Sequence, residues 1–200
     1  QLTEIAPKLV KKSGDKVDRW GFDHKMQPQA GWLWQWGLAN GGKFISDDLK
    51  KVSFNDAKIA EALDWGVKNY QAQGGYQAYQ AASSTWQGDE QFARGLVAMT
   101  MYENFLLGII ARTVPDLNFV VLAPRKRNGG ANDWLSYTGG NAWTLTSGTK
   151  DNDAAWAFIT FMCEETTWAT GAQAVKDFQQ KNNRPYVPTL TADKIADQLQ

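Results

Sequence analysis

Hydrophobic positions follow a helical spacing in long stretches of the chain, and short apolar runs separate these stretches. The clearest helix is predicted over residues 56–72, after a cap at Asn55 and before Gly74-Gly75. Its apolar face is Ile59, Leu63, Val67 and Tyr70. Further helices are predicted over residues 3–12, 31–39, 88–94, 102–111 and 166–181, and from about 151 and 192.

Four short apolar segments predict strands, over residues 17–22, 97–101, 118–123 and 142–146. Strands separated by helices are typical of an α/β fold built in layers. Ligands of open α/β sheets bind at the carboxyl ends of the strands. Glu103 follows a predicted strand and is therefore a candidate contact, although an acid there also suits the dipole of a following helix.

Charge and residue counts exclude several classes of function. The 21 basic and 21 acidic residues leave no net charge, so no nucleic-acid partner is expected. Cys163 and His24 are the only residues of their types, which excludes an internal disulfide and a structural zinc cluster. Any thiol or serine catalysis would depend on His24. We expect Cys163 to be a small buried hydrophobe and His24 to lie in a loop or at a strand end.

No leader pattern and no apolar run long enough for a bilayer are apparent, so we expect a soluble piece of a longer protein. The adjacent acids 47–48, 89–90 and 164–165 do not face each other on a helix, and a catalytic carboxylate pair is not expected. The basic triplet at residues 125–127 predicts a solvated loop.

Aromatic residues are the outlier, with ten tryptophans among 200 residues. They indicate either an aromatic core or a ligand with apolar faces and polar edges, such as a sugar. Trp32, Trp34 and Trp36 would share one face of a strand, or fan over about 200° of a helix. Core packing and a ligand platform both remain open for this run.

Four segments in order resemble the sugar-type extracellular solute-binding proteins of ABC transporters, the family that includes maltose-binding protein. They are QLTEIAPKLVKKSG at the start, the aromatic segment 31–42 ending in Gly-Gly, EQFARGLVAMTMYENF at 90–105, and TGGNAWTLTSGTKDNDAAWAFITFM at 138–162. Together they span nearly the whole chain. The resemblance implies a lobe of the type II periplasmic-binding-protein fold, with a short mixed sheet flanked by helices. Family members are commonly longer, so residues 1–138 are expected to be the second lobe, and 139–200 the crossover strand and helices that partly belong to the other lobe.

The resemblance also implies a function, which is capture of a carbohydrate between two closing lobes without catalysis or a cofactor. The expected partners are a membrane permease of an ABC importer and, through the surface that a missing lobe would leave, a second copy of the chain. The expected location is the periplasm or the cell surface. The ligand-binding residues it implies are Gln29, Gly31, Trp32, Tyr102, Glu103, Phe105, Gly139, Gly140, Asn141 and Trp143. A carbohydrate-active enzyme, a binder of another solute and an aromatic protein-interaction module are the alternatives.

Overall fold

The structure is a computed structural model that describes residues 1–25, 33–86, 89–124, 126–128, 133, 142–191 and 193–199. Within these residues the chain forms eight helices and three strands. In chain order they are α1 (Leu2–Leu9), β1 (Lys11–Ser13), β2 (Lys16–Asp23), α2 (Leu33–Ala39), α3 (Ala57–Gln73), α4 (Tyr76–Ser83), β3 (Val97–Thr100), α5 (Leu106–Thr113), α6 (Asn152–Cys163), α7 (Glu165–Lys181) and α8 (Lys194–Leu199).

The chain divides into two compact units. The first consists of Gln1–Glu103 and Leu117–Tyr137 and contains the sheet with α1 to α4. The second consists of Asn104–Asp116 and Thr138–Gln200 and contains α5 to α8, with α7 packed against both α6 and α8.

The sheet has the order β1-β2-β3 and is mixed. β1 pairs with β2 antiparallel across a turn at Gly14, and β2 pairs with β3 parallel, with Trp20 opposite Val97 and Phe22 opposite Met99. α1 and α4 pack on β2, and α3 contacts α1, α2 and α4. The predicted α/β class, a short mixed sheet flanked by helices, is confirmed.

The core of the first unit is aromatic. Trp20, Tyr70, Tyr79 and Val97 are buried together, and the Trp20 and Tyr79 rings meet edge to face at 5.3 Å between centroids. Gly21 lies in β2 where α1 packs against the strand: a Cβ at this position would come within 1.9 Å of the Ala6 carbonyl oxygen. The close approach of α1 to β2 therefore requires glycine at position 21.

Beyond β1, an amide side chain takes the place of a strand beside β2. The Phe22 N–H donates to Gln73 Oε1 at 2.7 Å, and Gln73 Nε2 donates to the Phe22 carbonyl oxygen at 3.1 Å. Both residues are buried, so these backbone groups have no access to bulk water. Gln73 thus joins the end of α3 to the sheet and satisfies an otherwise open edge.

Several predicted elements differ from the observed ones. α1 stops at Leu9 because residues 11–16 form the hairpin with β2, and the cap of α3 is Asp56, whose carboxylate accepts from the Lys58 N–H. Residues 89–94 form turns instead of a helix, because the backbone adopts a left-handed conformation at Gly95, with φ of 72°, before a second helical turn can form. α4 was not predicted.

The predicted strands 118–123 and 142–146 are wrong. Neither segment forms a strand in the described structure, and Val120, Val121 and Leu122 are each at least 70% exposed. An apolar run becomes a strand only where a neighbouring strand supplies hydrogen bonds, and the sequence does not contain that information.

Two predicted apolar faces are also not buried. In α3, Ile59 and Tyr70 are buried, whereas Leu63 and Val67 are each 45% exposed, because the buried face turns toward Ala62 and Gly66. In α6 no residue is buried, including the predicted face Ala155, Phe158, Ile159 and Met162. Cys163 ends this helix and is exposed, so the prediction of a buried cysteine is wrong.

Candidate functional site

The carboxyl ends of β2 and β3 meet at one edge of the sheet. The strands are parallel, and their last residues, Asp23 and Thr100, are register partners. The Thr100 hydroxyl donates to the Asp23 carbonyl oxygen at 3.4 Å, which links the two strand ends beyond the backbone ladder. Side chains that leave these ends converge at the place where α/β sheets bind ligands.

Asp23 is a fully buried carboxylate at this edge. Its Oδ1 accepts from the Lys25 N–H at 3.0 Å and from the Tyr79 hydroxyl at 3.1 Å. Its Oδ2 has no hydrogen-bond partner in the described structure, and the nearest cation is Lys25 Nζ at 3.9 Å. Burial raises the pKa of Asp23, while Lys25 and the two hydrogen bonds partly oppose that rise.

Tyr79 contributes from α4, far along the chain. Burial, with the Asp23 carboxylate next, raises the pKa of the Tyr79 hydroxyl well above its ordinary value. The hydroxyl therefore stays protonated and acts as a donor to Asp23. Because α4 packs on β2, the core that buries Trp20 also fixes the position of this donor.

Lys25 lies two residues after the end of β2, and its side chain is next to Asp23. Its side chain is only 13% exposed, and its ammonium lies 4.2 Å from the centre of the Tyr102 ring. Ring faces attract cations through their quadrupole. The backbone of Lys25 has a φ of 58°, which a residue with a long side chain rarely adopts. Asp23, Lys25, Tyr79 and Tyr102 are called the strand-end cluster below.

His24 serves packing at the same edge. It is buried, its ring lies 4.2 Å from that of Tyr70, and its Nε2–H donates to the Gly66 carbonyl oxygen at 2.9 Å. Burial lowers the pKa of His24 to about 4, so the imidazole is neutral at pH 7. The prediction of a strand-end position is confirmed, since His24 directly follows β2. In the described part of the chain, no three His, Cys, Asp or Glu side chains form a metal site.

The predicted ligand-binding residues fall into three groups. Gln29, Gly31, Trp32, Gly139, Gly140 and Asn141 lie outside the described residues. In the first unit, Tyr102 is half-buried beside Lys25, and Glu103 is exposed. In the second unit, Phe105 is exposed before α5, and Trp143 is exposed with its ring edge-on to Phe158 at 5.7 Å.

Sequence reasoning missed Asp23, Lys25 and Tyr79. The rule that selected Glu103, a charged residue just after a predicted strand, applies equally to Asp23 and Lys25 after the strand predicted over 17–22. Tyr79 had no such signal, because the helix that carries it was not predicted.

Trp34 and Trp36 of the aromatic run have different surroundings in α2. Trp36 packs against the buried Phe22, its ring lies 4.8 Å from that of Trp65, and its Nε1–H donates to the His24 carbonyl oxygen at 2.8 Å. Trp34 instead lines an open apolar depression of about 510 Å³. The other lining residues are Leu38, Lys43, Phe44, Ile45, Asp47 and Phe54.

One residue of the basic triplet, Arg127, makes hydrogen bonds to other elements of the fold. Arg127 Nη1 donates to Asn40 Oδ1 at 2.8 Å and to Glu61 Oε1, and its backbone N–H donates to the Ala39 carbonyl oxygen at 2.8 Å. Hydrogen bonds from Asn40 and Arg127 lower the pKa of Glu61 to about 2. This network ties the loop to α2 and α3.

Comparison with known proteins identifies one family. The model of bacterial extracellular solute-binding proteins matches residues 1–191. No curated protein and no solved structure matches the chain. Among the described residues, no helix combines the length and apolar character needed to cross a membrane.

Proposed function

Because the chain belongs to the family of bacterial extracellular solute-binding proteins, we propose that it captures a carbohydrate for an ABC importer. The family implies a substrate, a permease partner and a periplasmic or cell-surface location, and its members are generally non-enzymatic. The carbohydrate is the part that goes beyond the family.

The strand-end cluster is the observation that supports this proposal. A pyranose has C–H groups on its faces and hydroxyls at its rim, so it needs an aromatic ring together with hydrogen-bonding groups. Tyr102 supplies a half-buried ring at the carboxyl edge of the sheet, and Lys25 supplies an ammonium next to it. Glu103, exposed one residue further on, supplies an acceptor.

Binding would proceed without covalent chemistry. Stacking on an aromatic ring orients the sugar, and polar groups around it reject an epimer that would leave them unpaired. The family resemblance implies a set of ligand-binding residues. They are Gln29, Gly31, Trp32, Tyr102, Glu103, Phe105, Gly139, Gly140, Asn141 and Trp143.

A thermal-shift screen tests the proposal. The protein is heated with neutral and acidic mono- and oligosaccharides, polyols and peptides, and each mixture is analysed for new products. A ligand at one hundred times its dissociation constant adds about 2.7 kcal/mol to the free energy of unfolding, which raises Tm by several degrees. A shift with related sugars and no product is the expected result.

Tyr102→Ala provides the local test. Loss of the ring should weaken binding of the sugar found in the screen by about two- to tenfold, the usual strength of an aromatic contact. Phe54→Ala is the matched control, because Phe54 is an exposed aromatic residue that belongs to the apolar depression and not to the strand-end cluster. Shifts with polyols or peptides alone would assign another solute, and release of reducing sugar would assign an enzyme.

A further inference from the structure

The ammonium of Lys25, on a side chain that is 13% exposed, makes no hydrogen bond to a protein group in the described structure. Asp23 Oδ2 is 3.9 Å away, and Tyr102 presents a ring face. An ammonium has three N–H donors, and a hydrogen bond from a charged donor is stronger than one between neutral groups. An acceptor oxygen of a ligand that reaches Lys25 would therefore meet donors that no described protein group occupies.

The protein holds this ammonium in place through contacts on both sides of it. Asp23 accepts from the Lys25 backbone N–H, which fixes the left-handed conformation at φ 58°, and its other oxygen attracts the ammonium. Asp23 is itself held by the Tyr79 hydroxyl. Unfavourable backbone conformations persist where the surrounding structure determines them, and they concentrate at functional sites.

We propose that Lys25 donates a hydrogen bond to a hydroxyl of the bound sugar, and that Asp23 is a positioning residue that makes the site prefer uncharged over acidic sugars. This inference rests on the proposed function and adds a residue and a charge selectivity to it.

The selectivity follows from the charge of the pair. Lys25 and Asp23 together are neutral, so an uncharged hydroxyl accepts from the ammonium without disturbing the balance. A sugar carboxylate at the same place would put a second negative charge near the buried Asp23 carboxylate, where low dielectric strengthens repulsion. Asp23 Oδ2 is itself buried, so its effect on the ligand acts through charge and through the position of Lys25.

The test compares matched sugar pairs, namely glucose with glucuronate and galactose with galacturonate. Neutral disaccharides of glucose and galactose are added to the panel, and calorimetric titration measures the dissociation constant of each sugar. The wild-type protein should bind the neutral member of a pair at least tenfold more tightly. Lys25→Met should weaken neutral-sugar binding about tenfold, as expected for a lost hydrogen bond to a charged donor. Asp23→Asn keeps the shape of the side chain and should reduce the preference for the neutral sugar at least tenfold.

Two further variants keep the test decisive. The double variant D23N/K25M removes both charges, so it leaves no unpaired buried carboxylate if Lys25→Met alone does not fold, and it should also bind neutral sugars about tenfold more weakly. Lys68→Met is the matched control, because Lys68 pairs with Asp64 on the exposed surface of α3, and it should leave both constants unchanged.

Each remaining outcome is informative. Neutral-sugar binding that is unaffected by Lys25→Met or by the double variant overturns the role of Lys25 and leaves the proposed function intact. An unchanged preference in Asp23→Asn, or tighter wild-type binding of the acids, overturns the selectivity. A panel without any binder overturns both proposals.

Discussion

Replacement of Gln73 by methionine should destabilise the first unit by about 1–3 kcal/mol. Methionine keeps the length and apolar contacts of the side chain but removes both groups that pair with Phe22. The Phe22 N–H, now 2.7 Å from Gln73 Oε1, would stay buried without this partner. The Phe22 carbonyl oxygen, now 3.1 Å from Gln73 Nε2, would keep the hydrogen bond that Trp20 Nε1–H donates at 3.1 Å. Each unsatisfied buried group costs about 1–3 kcal/mol.

Urea denaturation followed by tryptophan fluorescence measures this loss, and hydrogen exchange of the Phe22 amide locates it. Gln71→Met is the control, because Gln71 is exposed on the same helix and the substitution there should change stability by less than about 0.5 kcal/mol. Equal stabilities of the two variants, or unchanged protection of the Phe22 amide, would refute the view that Gln73 completes the sheet edge.

Three further predictions concern pH and packing. The imidazole of His24 should titrate near pH 4 in an NMR titration, and a midpoint near 6.5 would contradict its buried position. The free energy of unfolding should fall by up to about 3 kcal/mol as pH drops from about 6.5 through 4, because the unfolded chain binds a proton that folded His24 does not. The carboxyl of Glu61 should titrate near pH 2, so its stabilising effect is present above about pH 4.5 and is lost toward pH 2. Arg127→Ala should raise the pKa of Glu61 in an NMR titration, and an unchanged pKa would contradict the network. Gly21→Ala should cost about 1–3 kcal/mol in thermal unfolding, whereas Gly148→Ala, with nothing within 4 Å of the added carbon, should not; equal Tm values would contradict the tight approach.

The elements that the sequence predicts well are those whose signals are local. α3 has a cap, helical spacing and a Gly-Gly stop, and it forms within a residue or two of the prediction. The strands predicted over 17–22 and 97–101 also form, since they pair with each other. Residues 118–123 have an equally apolar pattern but no pairing strand. Pairing depends on residues distant in the chain, so spacing alone cannot distinguish the two cases.

The site shows the same boundary between local and distant information. The position of Asp23 and Lys25 directly after a strand is visible in the sequence and marks them as candidates. That the Asp23 carboxylate accepts from Tyr79, 56 residues away in the chain, depends on how α4 packs against β2. The run of tryptophans illustrates the point in one helix: helical geometry separates Trp34 from Trp36, and only packing decides that Trp36 is the one that contacts the core.

The energetics of the strand-end cluster favour function over stability as its reason. A buried ion pair seldom stabilises a fold more than apolar side chains of similar volume, because both charges lose their hydration. Here the geometry is also poor for stability, with 3.9 Å between Lys25 Nζ and Asp23 Oδ2 and an unpaired carboxylate oxygen. Apolar residues at these two positions would pack beside Tyr79 at less cost. A charged pair held in an unfavourable backbone conformation, at the sheet edge where ligands bind, is instead what a site that must reach a polar solute requires.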